Sequence, residues 1–434
     1  MTAPRVIVPL QRRNVAPFEV QLPGSKSMTN RALVLGAMRM GTTEIHGGLD
    51  CDDTQRLAAA LGAFGGLAVD AVPTGFRTVR SAARLQAPAT AIDVGAAGTP
   101  ARFLLAFAAT AAGATVVTGS PRLRERPMGD LLAALRALGI RCECLQADDC
   151  LPVRVHGGTP ASRHWRVGAG VSSQFTSALL LLASQCPGAP IELALDGEAV
   201  SQPYAELTRA MLAQCGIATE RRGDTIVVQP APPRCARIDI EPDASSMVPF
   251  LAVAAVTGTA VTVPGIGAAS QQADVGMLAV LERMGCAVER QRDCVRLRGA
   301  ALRGVDVDMA AMPDAVLALA AVAAVAAGPT RIAGLATLRT KESDRIEAAA
   351  TALSRLGQRV ETGRDWLRIE PTGELAPASV PTHDDHRVAM AFAPLGLLRG
   401  GIAIEDPDCV AKSFPGFWHE FDRCRAHHDD AARA

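Results

Sequence analysis

The chain has 434 residues, enough for two or more domains. Its 44 basic and 44 acidic residues cancel to a net charge of +0, which excludes a chain-wide attraction to nucleic acid or to an anionic membrane and leaves any anion site to be local. Hydrophobic residues make up 49% but aromatic residues only 3%, so the core is expected to be closely packed Ala, Val and Leu.

The start, Met1-Thr2-Ala3-Pro4-Arg5, lacks the apolar core of a secretory signal. Eleven scattered cysteines, an odd number, favour reduced and mostly buried thiols in a cytoplasmic protein over a disulfide framework. The strongest apolar run, residues 315–327, falls short of the roughly 18 residues a membrane span needs and reads as a core helix.

In chain order, the first strong signal is Pro23-Gly24-Ser25-Lys26-Ser27-Met28-Thr29-Asn30-Arg31. A turn, small hydroxyl residues and two cations lead there into an apolar run, read as a buried helix with the hydroxyls at its N-cap. A helix start carries unpaired N–H groups and partial positive charge, so it favours anions, and Lys26 and Arg31 add to that preference. Taken alone, the stretch also reads as an ordinary cap with two solvated cations.

The same pattern recurs. Ser27, Thr99, Ser173, Ser245, Asp314 and Asp385 each stand at a small or polar start that opens into an apolar helix, and successive markers lie 72, 74, 72, 69 and 71 residues apart. A second, amphipathic helix is expected after each apolar one, and five of these are expected to end on Gly65, Gly139, Gly216, Gly285 and Gly357 as C-caps. Strand-like segments follow, such as residues 224–228 and 366–369, and the sixth copy is truncated near 414–425. Six units are too many for one core, so three per domain are expected, with the Pro-rich residues 230–234 near the crossover. Helices that are apolar all round belong inside each domain, and side by side they would gather their polar starts at one end.

The charged motifs are weak singly. Arg124-Glu125-Arg126-Pro127 offers two guanidinium groups for a phosphate or carboxylate, or a solvated charge run. Ser172-Ser173-Gln174 is a cap or a polar contact, and Tyr204 in Ser201-Gln202-Pro203-Tyr204 is the single tyrosine. Asp314 is a cap or a general base. Arg339-Thr340-Lys341-Glu342-Ser343-Asp344-Arg345 occupies the same point of its repeat as Arg124–Arg126. His383-Asp384-Asp385-His386-Arg387 superficially resembles a metal site, but no matching ligands occur elsewhere and Arg387 reads better as an anion ligand. The His427-His428 pair reads as a frayed tail. Together Lys26, Arg31, Arg126, Lys341, Arg345, Arg387 and Lys412 fall at equivalent helix starts in a chain without net charge, which points to one focused site for two anionic ligands.

These motifs, with Ala97-Gly98-Thr99, Pro313-Asp314-Ala315 and Lys412-Ser413-Phe414-Pro415, resemble in order and over nearly the full length the 5-enolpyruvylshikimate-3-phosphate synthases of the enolpyruvyl transferase family. The resemblance implies a two-domain inside-out α/β barrel, each domain of three βαβαββ repeats. Residues 25–238 would be mainly the shikimate 3-phosphate side, and 1–24 with 239–434 mainly the phosphoenolpyruvate side. It implies transfer of the enolpyruvyl group of phosphoenolpyruvate to the 5-hydroxyl of shikimate 3-phosphate, in the shikimate pathway to aromatic amino acids. No metal or organic cofactor, no nucleic acid and no membrane is implied, and the chain is expected to be a cytoplasmic monomer.

Carried over position by position, Lys26, Ser27, Arg31, Ser172, Ser173, Gln174, Ser201, Tyr204, Asp314, Thr337 and Lys341 would hold shikimate 3-phosphate. Lys26, Gly98, Arg126, Gln174, Arg345, Arg387 and Lys412 would hold phosphoenolpyruvate. Asp314, Glu342, Lys26 and Lys412 would be catalytic, with Asp314 accepting the 5-hydroxyl proton. Ala96 stands where the family often has Asn, as does Thr337, which keeps a hydroxyl. Gly98→Ala is expected to crowd the phosphoenolpyruvate site and weaken inhibition by its analogue glyphosate. The rival within the same chemistry is the enolpyruvyl transferase of UDP-N-acetylglucosamine, which needs a loop cysteine and a Lys-Asn pair. This chain has no cysteine near 122–127 and carries Lys26-Ser27. A non-catalytic ligand-binding scaffold would not need Lys26, Asp314, Glu342 and Lys412 together.

Overall fold

The computed structural model describes residues 3–198 and 200–430. The chain divides into two compact units, one running from Gly24 to Glu241 and the other joining the residues up to Pro23 to those from Pro242 onward.

The Gly24–Glu241 unit is three copies of one βαβαββ pattern. In its plainest copy, strand Ile92–Asp93 leads to helix Gly98–Ala108, strand Ala114–Thr118, helix Gly129–Ala137 and the strands Cys142–Cys144 and Val153–His156. The first two strands pair in parallel and the last two form an antiparallel hairpin beside them, giving a small four-stranded sheet. His164–Gly168 opens a second copy of the same order. The copy that begins at helix Lys26–Met38 borrows its opening strand from the far end of the unit, where Arg237–Asp239 pairs in parallel with Gly41–His46.

The other unit repeats the scheme and also closes on borrowed strands. Phe18–Glu19 pairs with Ala260–Pro264 and so supplies the strand that precedes helix Ala244–Thr257. Arg5–Val6 pairs antiparallel with Ile402–Ile404, completing the three-stranded sheet of the copy whose own hairpin is missing. Truncation of the sixth repeat is thus compensated by the N-terminal segment.

The sheets are separate and open, and the helices between them form the interior. All 14 residues of Ala244–Thr257 are buried, and so are ten of the eleven in Gly98–Ala108, as their uniform apolarity requires. Ala at many of these positions lets helix axes approach closely, and the chain's few aromatics are concentrated in the core, where all eleven Phe and Trp165 are buried. The second helix of each copy is amphipathic: Met277, Leu278, Val280, Leu281 and Met284 are buried on one face of Met277–Met284.

Three expectations need correction. The first repeat turns left-handed at Gly66, φ 91°, and not at Gly65, because Gly65 is engaged in a bridge with Gln86; Gly139, Gly216, Gly285 and Gly357 do carry positive φ. The apolar run from residue 315 is helical only over Val316–Ala323 after a 3-10 turn at Pro313–Ala315. The His427-His428 pair is no frayed tail: it lies in helix Phe417–Asp429, with His428 buried and its Nδ1 2.9 Å from the Asn14 carbonyl. Burial disfavours the charged ring and pushes the His428 pKa down to about 4. All eleven cysteines are free thiols, six of them buried.

Candidate functional site

Each unit carries its own cluster at the helix starts. In the Gly24–Glu241 unit, Ser25 caps helix Lys26–Met38 by accepting from the Met28 amide, which leaves Lys26 as the first helical residue. Its Nζ lies 2.9 Å from Asp53 Oδ2, at the start of the next helix, Asp52–Gly62. One turn on, Arg31 is buried and spends its donors on neutral oxygens: the Thr208 hydroxyl at 2.7 Å, the Ser27 carbonyl at 2.8 Å, the Ser177 hydroxyl at 3.1 Å and the Tyr204 carbonyl at 2.9 Å. These bonds tie together the starts of helices Lys26–Met38, Ser173–Ser184 and Gln202–Gln214. Burial lowers the Arg31 pKa to about 10, still far above neutrality, so the guanidinium is a fixed positive charge beneath Ser27.

A second group forms around Gly98, which begins helix Gly98–Ala108 with no side-chain cap. A Cβ built there would stand 2.7 Å from Arg126 Nη1 and 3.1 Å from Arg102 Nη1. Arg102 Nη1 donates to Gln174 Oε1 at 2.6 Å. Because a guanidinium cannot accept, the oxygen of the Gln174 amide must face Arg102, and its NH2 is the end left for a ligand. Ser172 caps the helix on which Ser173 and Gln174 stand, accepting from the Gln174 amide at 3.3 Å. Ser201 takes a left-handed backbone, φ 51°, before helix Gln202–Gln214, which Pro203 and Tyr204 open.

In the other unit the charges are denser. Asp314 accepts from Arg345 Nη1 at 2.7 Å and from Arg387 Nη2 at 3.1 Å, and Lys341 Nζ lies 3.5 Å away. Arg345, with a side chain 1% exposed, also donates Nε to Asp385 Oδ2 at 2.8 Å and Nη2 to Glu342 Oε2 at 3.1 Å. Lys412 Nζ is 3.7 Å from Glu342 Oε1. Asp385, besides pairing with Arg345, caps helix His386–Phe392 through the Arg387 amide and accepts from Ser343. Burial pushes the Asp314 carboxyl up, but Arg387, Lys341 and Arg345 outweigh it and hold that carboxyl well below the usual carboxylate range. In this network Lys341, Arg345, Arg387 and Lys412 are interleaved with the carboxylates of Asp314, Glu342 and Asp385.

The structure therefore joins Lys341, Glu342, Arg345, Arg387, Lys412 and Asp314 in one network, and Gly98, Arg126 and Gln174 in another. Thr337 stays outside the first: it is half-buried in the 3-10 stretch Ala336–Thr340, where its carbonyl accepts from Thr340. Asp53, Arg102 and Asp385 carry parts of the site that sequence reasoning did not assign. For Arg102 the signal was a cation inside an otherwise apolar helix. For Asp53 it was an acid at the second helix start of its repeat. Among the described residues no group of three or more His, Cys, Asp and Glu side chains is placed to hold a metal ion, and Asp385 is turned to Arg345.

The family model described as EPSP synthase (3-phosphoshikimate 1-carboxyvinyltransferase) matches residues 14–421. A 3-phosphoshikimate 1-carboxyvinyltransferase of Syntrophobacter fumaroxidans is 40% identical over 412 residues, covering 94% of this chain and 97% of that protein. One from Bordetella petrii is 39% identical over 424 residues, covering 94% and 95%. The EPSP synthase structure from Acinetobacter baumannii superposes with a TM-score of 0.81 at 27% identity, covering 98% of each chain. An enolpyruvyl transferase of Streptomyces tendae, at 18% identity and TM-score 0.74, shares the fold. Sixfold repeat, charged helix starts and near-complete coverage agree, and the chain belongs to the EPSP synthase (3-phosphoshikimate 1-carboxyvinyltransferase) family.

Proposed function

We propose that this chain transfers the enolpyruvyl group of phosphoenolpyruvate to the 5-hydroxyl of shikimate 3-phosphate and releases phosphate. The observation that carries the reading is the network in which Lys341, Arg345 and Arg387 converge on Asp314, in a chain whose family is defined by this reaction. The Gly24–Glu241 unit serves chiefly shikimate 3-phosphate, through Lys26, Ser27, Ser172, Ser173, Gln174, Ser201 and Tyr204, with Arg31 adding charge beneath them. The other unit serves chiefly phosphoenolpyruvate, through Arg345, Arg387 and Lys412, with Gly98, Arg126 and Gln174 assigned to it from the first. Thr337 and Lys341 complete the shikimate 3-phosphate set.

The chemistry suits these groups. Protonation of the phosphoenolpyruvate methylene, for which Glu342 and Lys26 are the candidates, makes the neighbouring carbon electrophilic. The 5-hydroxyl attacks that carbon while Asp314 takes its proton. Lys412 and the arginines stabilise the phosphate and carboxylate of the tetrahedral adduct, which returns a methyl proton to the group that supplied it as the C–O bond to phosphate breaks. The reading carries two small-molecule substrates, a monomer and a cytoplasmic setting; among the described residues no helix is long and apolar enough to cross a membrane.

Phosphate release tests it. The purified chain should release phosphate from phosphoenolpyruvate when shikimate 3-phosphate is present and not when it is omitted. Release supported by UDP-N-acetylglucosamine instead would overturn the assignment.

Gly98→Ala gives a finer test. The new methyl meets the guanidinium ends of Arg126 and Arg102, and no backbone atom as closely, so the fold is expected to tolerate it by a shift of these buried groups. The KM for phosphoenolpyruvate should rise about tenfold, the scale of one charge-assisted hydrogen bond, and glyphosate inhibition should weaken with it. Unchanged constants for both ligands would show that Arg126 does not bind them.

A further inference from the structure

The proposed reaction moves a proton onto Asp314, and the same unit buries a second carboxyl close behind it. Asp274, in the 3-10 turn Ala273–Gly276, is only 2% exposed. Its Oδ2 accepts a short hydrogen bond from Ser245 Oγ, while its Oδ1, also buried, has no hydrogen-bond partner. Ser245 lies in the first turn of Ala244–Thr257. Together with Asp314 and Arg387 it lines a cavity of about 10 Å³, whose other walls are Val248, Pro249, Leu317 and neighbouring apolar residues. That is about the room one water needs, and the polar atoms of Ser245, Asp314 and Arg387 would hold it.

The charged groups that face Asp274 are Asp314, Asp243 and Arg387. Burial pushes its carboxyl up, the Asp314 charge adds to this, and Arg387 opposes it, leaving a pKa of about 6. A permanently ionised carboxylate buried with one idle oxygen would be poorly solvated. A group that is neutral part of the time fits the pocket better.

We propose that Asp274 and Ser245 are positioning residues that form a proton store behind Asp314. The O–H bond of protonated Asp314 breaks as a water in the cavity takes its proton and passes one to Ser245 Oγ. The serine's own proton then forms the new O–H bond on Asp274 Oδ2. The reverse sequence returns a proton to Asp314 for the departing phosphate, so no proton is gained or lost and no electrons are exchanged. The inference rests on the reading of Asp314 as the base.

The sign of the pH dependence follows. Above the pKa of Asp274 the store is empty and can accept; as pH falls through about 6 it fills, and kcat should fall with it. Asp274→Asn should lower kcat about tenfold at neutral pH, leave both KM values within about twofold and abolish that acid limb. Ser245→Ala should do the same, whereas Ser245→Thr, which keeps the hydroxyl, should retain most of kcat and the limb. Infrared spectra supply a readout independent of turnover: a protonated-carboxyl band that is strong at about pH 5, absent at about pH 8 and missing from Asp274→Asn. If the wild-type chain does not turn over these substrates, the proposed reaction fails while the band still reports on the store. If Asp274→Asn keeps both kcat and the limb, or keeps the band, the store is disproved.

Discussion

Asp314→Asn is expected to lower kcat by about 10³-fold, the scale set by removing a general base from a transition state. The side chain keeps its shape, and Arg345 keeps Asp385 and Glu342, so the fold should survive. A carboxyl held so far down by three cations is a poor base as it stands. The cations that depress it are, however, those assigned to the substrates. On that proposed assignment, phosphoenolpyruvate held by Arg345 and Arg387 and shikimate 3-phosphate held by Lys341 would neutralise the positive charge around Asp314 and raise its basicity. The base would then be switched on only with both substrates in place. Because Asp314→Asn removes a negative charge from beside Arg345, Arg387 and Lys341, the KM for phosphoenolpyruvate should stay level or fall while kcat collapses. Steady-state phosphate release separates the two constants. A kcat within a few-fold of wild type would remove Asp314 from the proton transfer.

The repeat explains why much of this was legible in the sequence and where legibility ended. A charged or hydroxyl residue before an apolar run is a local signal, and Lys26, Ser173, Asp314 and Asp385 were all readable from it. The roughly 70-residue period yielded one buried helix, one surface helix and short strands per copy, and the βαβαββ order came from the family resemblance. The borrowed strands followed from neither, since Arg5–Val6 and Arg237–Asp239 are too short to announce themselves and form only because an open sheet edge awaits them. The side-chain partners did not either. Yet they obey the repeat: Lys26 meets Asp53, Ser245 meets Asp274, and Asp314 meets Lys341 and Arg345, in each case the start of a copy's first helix touching the start of its second. Gln174 meets Arg102 across one whole period. The spacing contained these contacts, but only a sheet that brings successive helices round to the same end turns spacing into contact. Gly65 and Gly66 illustrate the opposite limit, since a single bridge to Gln86 decided which glycine turned left-handed.

Arg345→Met should cost the fold about 3–5 kcal/mol, because it strips a buried carboxylate of its partner. Asp385 is fully buried, and Arg345 holds both of its oxygens, at 2.8 and 3.3 Å. Burial disfavours the guanidinium, but Asp385, Glu342 and Asp314 outweigh that cost and raise its pKa, so the guanidinium stays charged at any pH of interest. Methionine fills a similar volume and supplies no charge, leaving the Asp385 carboxylate with the Ser343 hydroxyl and the Arg387 amide. The transition of the unit that contains it should fall by roughly 10 °C. Asp385→Leu alone should destabilise for the mirror-image reason. The Arg345→Met, Asp385→Leu double variant should recover much of the loss, since two apolar side chains need no partners. Denaturant melts of the three variants close the cycle. Recovery without activity would establish that this buried pair is kept for the charge it presents to phosphoenolpyruvate and not for stability. Additive losses would mean that Arg345 and Asp385 stabilise the unit independently, and the pair would then have no separate claim on the substrate.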